Sequence, residues 1–226
     1  MTSKKQIVVV GLGRFGSSLA RTLCELGNEV LALDRSLEAV NDIAECVTQA
    51  AQLDATSEEA LKELGVRNFD MGVVSIGEDI KSSILITLLL KKLGVRWVVS
   101  KAIDDLHAEI LQRVGADRVV YPERETGVRL AHGLAVPGVV DYLKVVPGYG
   151  ISIVAAPAAM AGKSLSDLNL KGIRGLSIVL LARGSQVILS PSRDELVQQG
   201  DLLVLAGRDD GIEMIGQMGI QAATIR

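Results

Sequence analysis

The run Gly11-Leu12-Gly13-Arg14-Phe15-Gly16 follows the β-branched stretch Ile7 to Val10 directly and opens an amphipathic helix. A G-x-G-x-x-G pattern does chemistry in that setting, with a strand before it and a helix after it. Gly11 permits a tight turn, Gly13 lets the backbone approach a pyrophosphate, and Gly16 lets the helix close on the strand. Backbone N–H groups at the positive end of the helix dipole then receive the anion. Asp34 stands 18 residues beyond Gly16, at the end of the next hydrophobic run. A carboxylate there accepts ribose hydroxyls and repels a 2′-phosphate, which disfavours NADP. Arg14 fills a variable position from which a guanidinium can swing across phosphates and clamp a terminal one bidentately. The plainer reading of Arg14 is a solvated arginine on the first helical turn.

Further candidates share an edge with the glycine turn. Asp54 and Ala55 follow the third predicted strand, Ser75-Ile76-Gly77 closes the fourth, and Lys101 lies at the end of the fifth. In an open parallel sheet the carboxyl ends of the strands are where ligands bind. Asp54 also has a plainer use, satisfying a nearby backbone amide. A dehydrogenase needs a proton donor or acceptor beside the nicotinamide and a second domain large enough to enclose substrate. Only His107 and His132 offer imidazoles, no Tyr-x-x-x-Lys pair is present, and no G-x-x-x-x-G-K-[ST] loop exists. The chain is therefore expected not to be an enzyme, and its nucleotide to act as a signal.

The elements that position these residues are readable. Six strands are predicted at 7–10, 30–33, 47–51, 71–76, 97–102 and 118–121, alternating with amphipathic helices, the pattern of a parallel sheet covered on both faces. Phe15, Leu19, Leu23 and Leu26 form one apolar stripe that Gly27 terminates, and Gly65, Gly94 and Gly115 end three later helices in the same way. Thr56 and Glu59 read as a capping box ahead of Leu61 and Leu64. The expectation for residues 1–135 is a Rossmann-like doubly wound parallel α/β sheet. The rhythm breaks at Pro137, and Pro147-Gly148-Tyr149-Gly150 is a second cluster of turn formers, so the domain boundary belongs in this stretch. Residues 136–219 read as a small α+β domain, with strands at 151–155, 176–182, 186–189 and 202–206, a hairpin turn at Gly184-Ser185 and one short helix over 164–168. The run Ile212 to Ile215 packs the core or serves a dimer contact, and 220–226 is a tail.

Composition sets the outer limits. The 226 residues suit one medium domain plus a small one, and 48% hydrophobic content supports a large core. With 24 basic and 27 acidic residues the net charge is −3, so nucleic-acid binding and binding to a membrane surface are disfavoured. The longest aliphatic tract, 84–90, stops at Lys91 far short of the ~20 residues of a membrane span. Cys24 and Cys46 lack metal spacing and read as buried thiols in a reducing compartment. With no cleavable leader visible before the first strand, a cytoplasmic location is expected.

The sequence as a whole resembles the RCK (regulator of potassium conductance) family, and among it the cytosolic subunits of bacterial potassium uptake systems. The resemblance rests on VVVGLGRFGSSLA at 8–20, EVLALD at 29–34, the long segment 64–94, VSKA at 99–102 and GADRVVYPERETG at 115–127. It continues through SLSDLNL at 164–170, LSP at 189–191 and GDLLVLAG at 200–207. It implies an RCK_N domain that binds ATP or ADP, and possibly NAD(H), followed by an RCK_C domain. It further implies homodimers assembling into an octameric ring beneath a membrane-embedded K⁺ transporter subunit of the KtrB/TrkH type. On that resemblance the binding role falls on Gly11, Leu12, Gly13, Arg14, Phe15 and Gly16, on Asp34 with Arg35 and Ser36, and on Asp54 and Ala55. It extends to Ile76, Gly77, Glu78, Lys101, Ala102, Ile103 and His107. Glu123 matches an acidic residue that takes part in binding a divalent cation, Mg²⁺ or Ca²⁺, although its plainer use is a first-turn carboxylate favoured by the helix dipole. Some relatives bind cyclic di-AMP in RCK_C through an arginine where this chain has Lys171, which cannot reproduce a bidentate contact. Alternative readings are an RCK regulator of a K⁺ channel or a cation/proton antiporter, a small NAD-dependent oxidoreductase, and a redox-sensing repressor. The last lacks a basic recognition helix.

Overall fold

A computed structural model of the chain describes residues 4–170 and 175–223. The chain divides into two compact units, one ending at Pro122 and one beginning at Glu123.

In the first unit, strands β1 (Gln6–Val10), β2 (Glu29–Asp34), β3 (Gln49–Gln52), β4 (Met71–Val74), β5 (Trp97–Lys101) and β6 (Arg118–Val120) form one parallel sheet in the order β3-β2-β1-β4-β5-β6. Helices α1 (Arg14–Glu25), α2 (Leu37–Ile43), α3 (Glu58–Glu63), α4 (Ile80–Lys92) and α5 (Asp105–Arg113) connect the strands. The order reverses between β1 and β4, which places a crevice at the carboxyl ends of those two strands. Side chains alternate across a strand, so both faces of the central strands need apolar residues. Val8, Val10, Leu31, Leu33 and Val74 accordingly pack with Leu61, Ile86 and Leu90 on one side, while Ile7, Val9, Val30, Ala32 and Val73 pack with Ala20, Val40 and Ile43 on the other.

Helix punctuation follows the expected glycines. Gly27, Gly65, Gly94 and Gly115 all take positive φ, and after α1 the Gly27 N–H donates to the Cys24 carbonyl at 2.8 Å and the Asn28 N–H to that of Leu23 at 3.1 Å. The apolar stripe of α1 is narrower than predicted: Gly16 and Ala20 are its buried residues, Leu19 and Leu23 pack at the margin, and Leu26, at the C-cap, is 74% exposed. The expected capping box does not form, and a simple N-cap one residue later takes its place. Ser57, not Thr56, caps α3 by accepting the Ala60 N–H, and the Thr56 hydroxyl donates to Asp54 instead, at 2.6 Å. The two thiols are only partly buried, against the core beneath β1 and β2.

The second unit holds a five-stranded antiparallel sheet in the order β10-β9-β11-β8-β7. It comprises β7 (Val139–Val146), β8 (Tyr149–Ala155), β9 (Ser177–Arg183), β10 (Gln186–Leu189) and β11 (Leu202–Arg208), with α6 (Pro122–Ala135), α7 (Leu165–Leu168) and α8 (Asp209–Ala223). Two elements depart from the sequence reading. The stretch between Pro137 and Gly150 contains a full strand, β7, and Pro147-Gly148 is the two-residue turn joining it to β8. The turn formers mark the ends of that strand. Residues 209–223 form a helix, so the expected tail begins inside it, while 224–226 lie outside the described residues. Ile212 and Ile215 are buried in the core with Leu203 and Leu205, as core packing requires. Gly184-Ser185 is the expected hairpin turn, with Gly184 at φ 58°.

Arg183 centres the ion pairs that stitch this sheet, one to Asp201 and one to Glu195 at 3.2 Å. Arg183 donates to both oxygens of the fully buried Asp201 at 2.9 Å each, and to the Leu196 carbonyl at 2.8 Å. The Arg183 guanidinium holds the Asp201 carboxyl below the ordinary carboxylate range, against the opposing effect of burial. A depressed folded-state pKa contributes stability above the unfolded value near ~3.9 and loses it as pH falls through the folded value. Asp201→Asn is expected to cost about 2–4 kcal/mol at pH 7, because it removes the buried half of the pair and leaves the guanidinium only the partly exposed Glu195, at 3.2 Å, as a charge partner. The deficit should shrink as pH falls below about 4, where the unfolded chain binds a proton that the folded carboxylate still resists, and vanish below the folded value. Urea unfolding read by hydrogen exchange in β9 and β11 at both pH values checks this; equal stability at pH 7 would remove the pair from the account.

Candidate nucleotide site

β1 ends at Val10, and Gly11 turns the chain at φ +94°, its N–H donating to the Leu33 carbonyl at 2.8 Å. The turn is pinned from behind by two neighbouring strands. The Ser75 hydroxyl, just past β4, donates to the Gly11 carbonyl in a short contact and lies 3.1 Å from that of Val10. Asp34, at the end of β2, accepts the Leu12 N–H at 2.6 Å through one carboxylate oxygen and the Ser36 N–H at 2.8 Å through the other. Each oxygen keeps further lone-pair capacity, so these bonds leave Asp34 able to accept hydroxyls. A Cβ at Gly16 would collide with the Gly11 carbonyl oxygen and with Ser75 Oγ, which is the close helix–strand approach the third glycine was expected to allow. At Gly13 the corresponding direction is open, with nothing within 4 Å.

The caps of the first unit's helices separate α1 from the rest. Ser36, Ser57, Asp79 and Asp104 each accept a backbone N–H at the start of α2, α3, α4 and α5. α1 begins at Gly13 with no side-chain cap and no acidic residue in its first turn. A helix start leaves four backbone donors to be satisfied by a side chain, solvent or a ligand. Arg14 is the first residue of α1 and is exposed, and Phe15 is half-buried.

The remaining candidates divide between those lining the carboxyl edge and those buried in the fold. Arg35 is exposed and its carbonyl accepts the Gln52 amide at 3.0 Å, while Ser36 caps α2. Asp54 is exposed, and its carboxyl is held below the ordinary range chiefly by the Thr56 hydroxyl and N–H, so the plain loop-satisfying use of this residue is real. The backbone at Gly77 lies against the Lys101 side chain, since a Cβ there would come 3.1 Å from Lys101 Cε and 3.4 Å from Ile103 Cγ2. The ends of β4 and β5 are thus brought together, with Ile76 half-buried and Glu78 exposed on the bend that follows. Leu12, Ala55 and Ala102 have buried side chains that belong to the core clusters.

His107 is buried, at 1% exposure, and its Nδ1 faces the Ile103 N–H at 3.5 Å while its own N–H donates to Asp104 at 2.7 Å. Nε2 has no hydrogen-bond partner among the described residues. Burial lowers the imidazole pKa, with Asp104 pulling weakly the other way, so the ring is neutral at pH 7. Glu123 lies in the first turn of α6, in the second unit. Among the described residues no three His, Cys, Asp or Glu side chains converge as a metal site. Lys171 lies outside the described residues. The residue that sequence reading undervalued is Ser75, named only as part of a run; a small hydroxyl closing the strand that pairs with β1 was the available signal.

The chain matches the TrkA-N domain over residues 7–122 and the TrkA-C domain over residues 151–218. It is 42% identical over 204 residues to the Ktr system potassium uptake protein C of Bacillus subtilis, covering 90% of this chain and 92% of the relative. It is 37% identical to the Ktr system potassium uptake protein A of the same organism, over 96% of this chain and 97% of that one. Among solved structures, the GsuK channel bound to NAD superposes with a TM-score of 0.66 at 17% identity, covering 95% of this chain. The match spans only 40% of that channel chain, and at this identity the likeness is one of fold. With a glycine turn, a carboxylate-ended second strand and an antiparallel second unit all in the expected order, the chain belongs to the TrkA-N/TrkA-C, or RCK, family that includes the Ktr system potassium uptake proteins.

Proposed function

We propose that this protein is a non-enzymatic, nucleotide-sensing subunit, located at the cytoplasmic face of the membrane, that governs K⁺ flux through a separate membrane transporter of the KtrB/TrkH type. The observation that carries the reading is the uncapped start of α1, where backbone donors, the helix dipole and the exposed Arg14 share one end of an open glycine turn. A di- or triphosphate supplies the missing cap. Asp34 takes the ribose hydroxyls, and Asp54, Ile76, Gly77 and the Lys101–Ile103 segment border the remainder of the nucleotide. The identity to potassium uptake proteins supplies the transport role.

ATP and ADP are the ligands this reading favours, because a third phosphate adds charge where Arg14 can reach it and only differential contacts shift a conformational equilibrium. NAD(H) suits the same turn and the same carboxylate. A divalent cation, Mg²⁺ or Ca²⁺, with Glu123 as one ligand belongs to the family-based reading, and the described residues offer no three-residue cluster of their own for it. Assembly as homodimers into an octameric ring, and cyclic di-AMP in the second unit, belong to the same family-based reading.

Two substitutions separate the site from the scaffold. Gly13→Ala meets open space and an ordinary φ of −66°, so thermal stability should stay within about 0.5–1 kcal/mol while ATP affinity falls tenfold or more. Isothermal titration beside calorimetric unfolding measures both, and undiminished affinity would detach the glycine turn from binding. Arg14→Ala should narrow the ATP-to-ADP affinity ratio, a charged contact being worth about 1.5–3 kcal/mol. An unchanged ratio would remove Arg14 from the discrimination.

A further inference from the structure

The edge of the parallel sheet opposite the glycine turn carries an open depression of about 380 Å³ lined by Lys5, Asp70, Met71, Arg96 and Trp97. These residues come from the amino ends of three adjacent strands, because Ile7 pairs with Met71 and Met71 with Trp97. Asp70 is committed to the fold: its carboxylate accepts the Gln6 N–H at 3.0 Å. The two cations are not. Within the described residues neither the Lys5 ammonium nor the Arg96 guanidinium has a carboxylate at ion-pair distance, whereas nearby Lys4 pairs with Glu29 at 3.0 Å and Lys91 with Asp117 at 2.9 Å. Trp97, the only tryptophan of the chain, stands 45% exposed beside them, and Arg118 opens the neighbouring strand β6.

Unpaired cations around a half-exposed indole match the chemistry of a bilayer headgroup region, where phosphates attract Lys and Arg and an amphipathic ring settles at the interface. The net charge of −3 does not oppose this at one edge, because surface charges farther away than a Debye length of about 8–10 Å are largely screened. We propose that the amino edge of the sheet docks on anionic phospholipid headgroups, with a phosphate between Lys5 and Arg96 and the Trp97 indole at the membrane surface. The glycine turn lies at the other end of the same strands, so lipid and nucleotide do not compete for one face.

The single tryptophan is its own reporter. With the full chain, vesicles of about one-third phosphatidylglycerol in phosphatidylcholine should shift Trp97 emission to the blue, and vesicles of phosphatidylcholine alone should not. A Lys5→Gln, Arg96→Gln double variant should partition more weakly by roughly fivefold for each cation, with its circular dichroism unchanged because both residues are exposed. Added salt should weaken wild-type binding. Equal response to neutral vesicles, an unaltered double variant, or a polyglutamate peptide shifting the emission as strongly as the anionic vesicles would each overturn the assignment, the last in favour of an acidic protein partner.

Discussion

The first unit depends on how the turn after β1 is restrained. Two hydrogen bonds reach it from the strands on either side of β1: Ser75, past β4, holds the Gly11 carbonyl, and Asp34, ending β2, holds the Leu12 N–H. The donors that follow at the start of α1 receive no side-chain cap. A turn whose backbone is fixed by its neighbours while its outward N–H groups stay available is preorganised, so a ligand anion meets donors already in place and little ordering entropy is lost on binding. The same restraint explains why glycine is needed at two positions for different reasons. Gly16 has no room for a Cβ, whereas Gly13 has room that a ligand would take.

The sequence made this arrangement readable to the extent that local chemistry decides it. β-branched runs, positive-φ glycines after helices and the spacing from Gly16 to Asp34 each act within one β-α unit, and the structure places them accordingly. What escaped reading depends on partners far away in the chain. Ser75 matters because it meets Gly11, 64 residues earlier. β7 was hidden because Pro137 and Pro147-Gly148 look like a linker until its pairing with β8 turns them into strand ends. α8 was hidden behind glycines: at Gly216 the Pro137 carbonyl leaves no space for a Cβ, and at Gly211 the Leu176 side chain leaves little, so in this helix they allow close packing rather than announce a turn. The shift of the α3 cap from Thr56 to Ser57 follows from competition, since Asp54 captures the Thr56 hydroxyl first.

Charge shows the same contrast between sums and places. A small negative total removes the broad electrostatic footprint of a nucleic-acid binder, yet it is silent about the two ends of one sheet. Parallel strands segregate their ends by construction: every carboxyl end meets the glycine-turn side, and every amino end meets the side where Lys5, Arg96 and Trp97 converge. A parallel sheet therefore supplies two chemically independent edges from one core, and an antiparallel sheet cannot do this.

Contacts within the second unit hold its first helix to the rest of that unit. α6 buries none of its own residues, so it is held to the sheet by side-chain contacts. Arg129 pairs with Asp141 at 3.0 Å, and His132 stacks on Tyr142 with ring centroids 3.7 Å apart. The Tyr142 hydroxyl donates in turn to Asp209 at the start of α8, and burial together with that carboxylate pushes its pKa up to about 12, so the donor persists throughout the physiological range. A helix attached by a few polar and stacking contacts can be repositioned at a cost of a few kcal/mol, whereas one buried in a core cannot. That is the scale on which allosteric coupling operates, about 1–3 kcal/mol or 5–150-fold in affinity. Glu123 occupies the first turn of α6, where its carboxylate meets the positive end of the helix dipole.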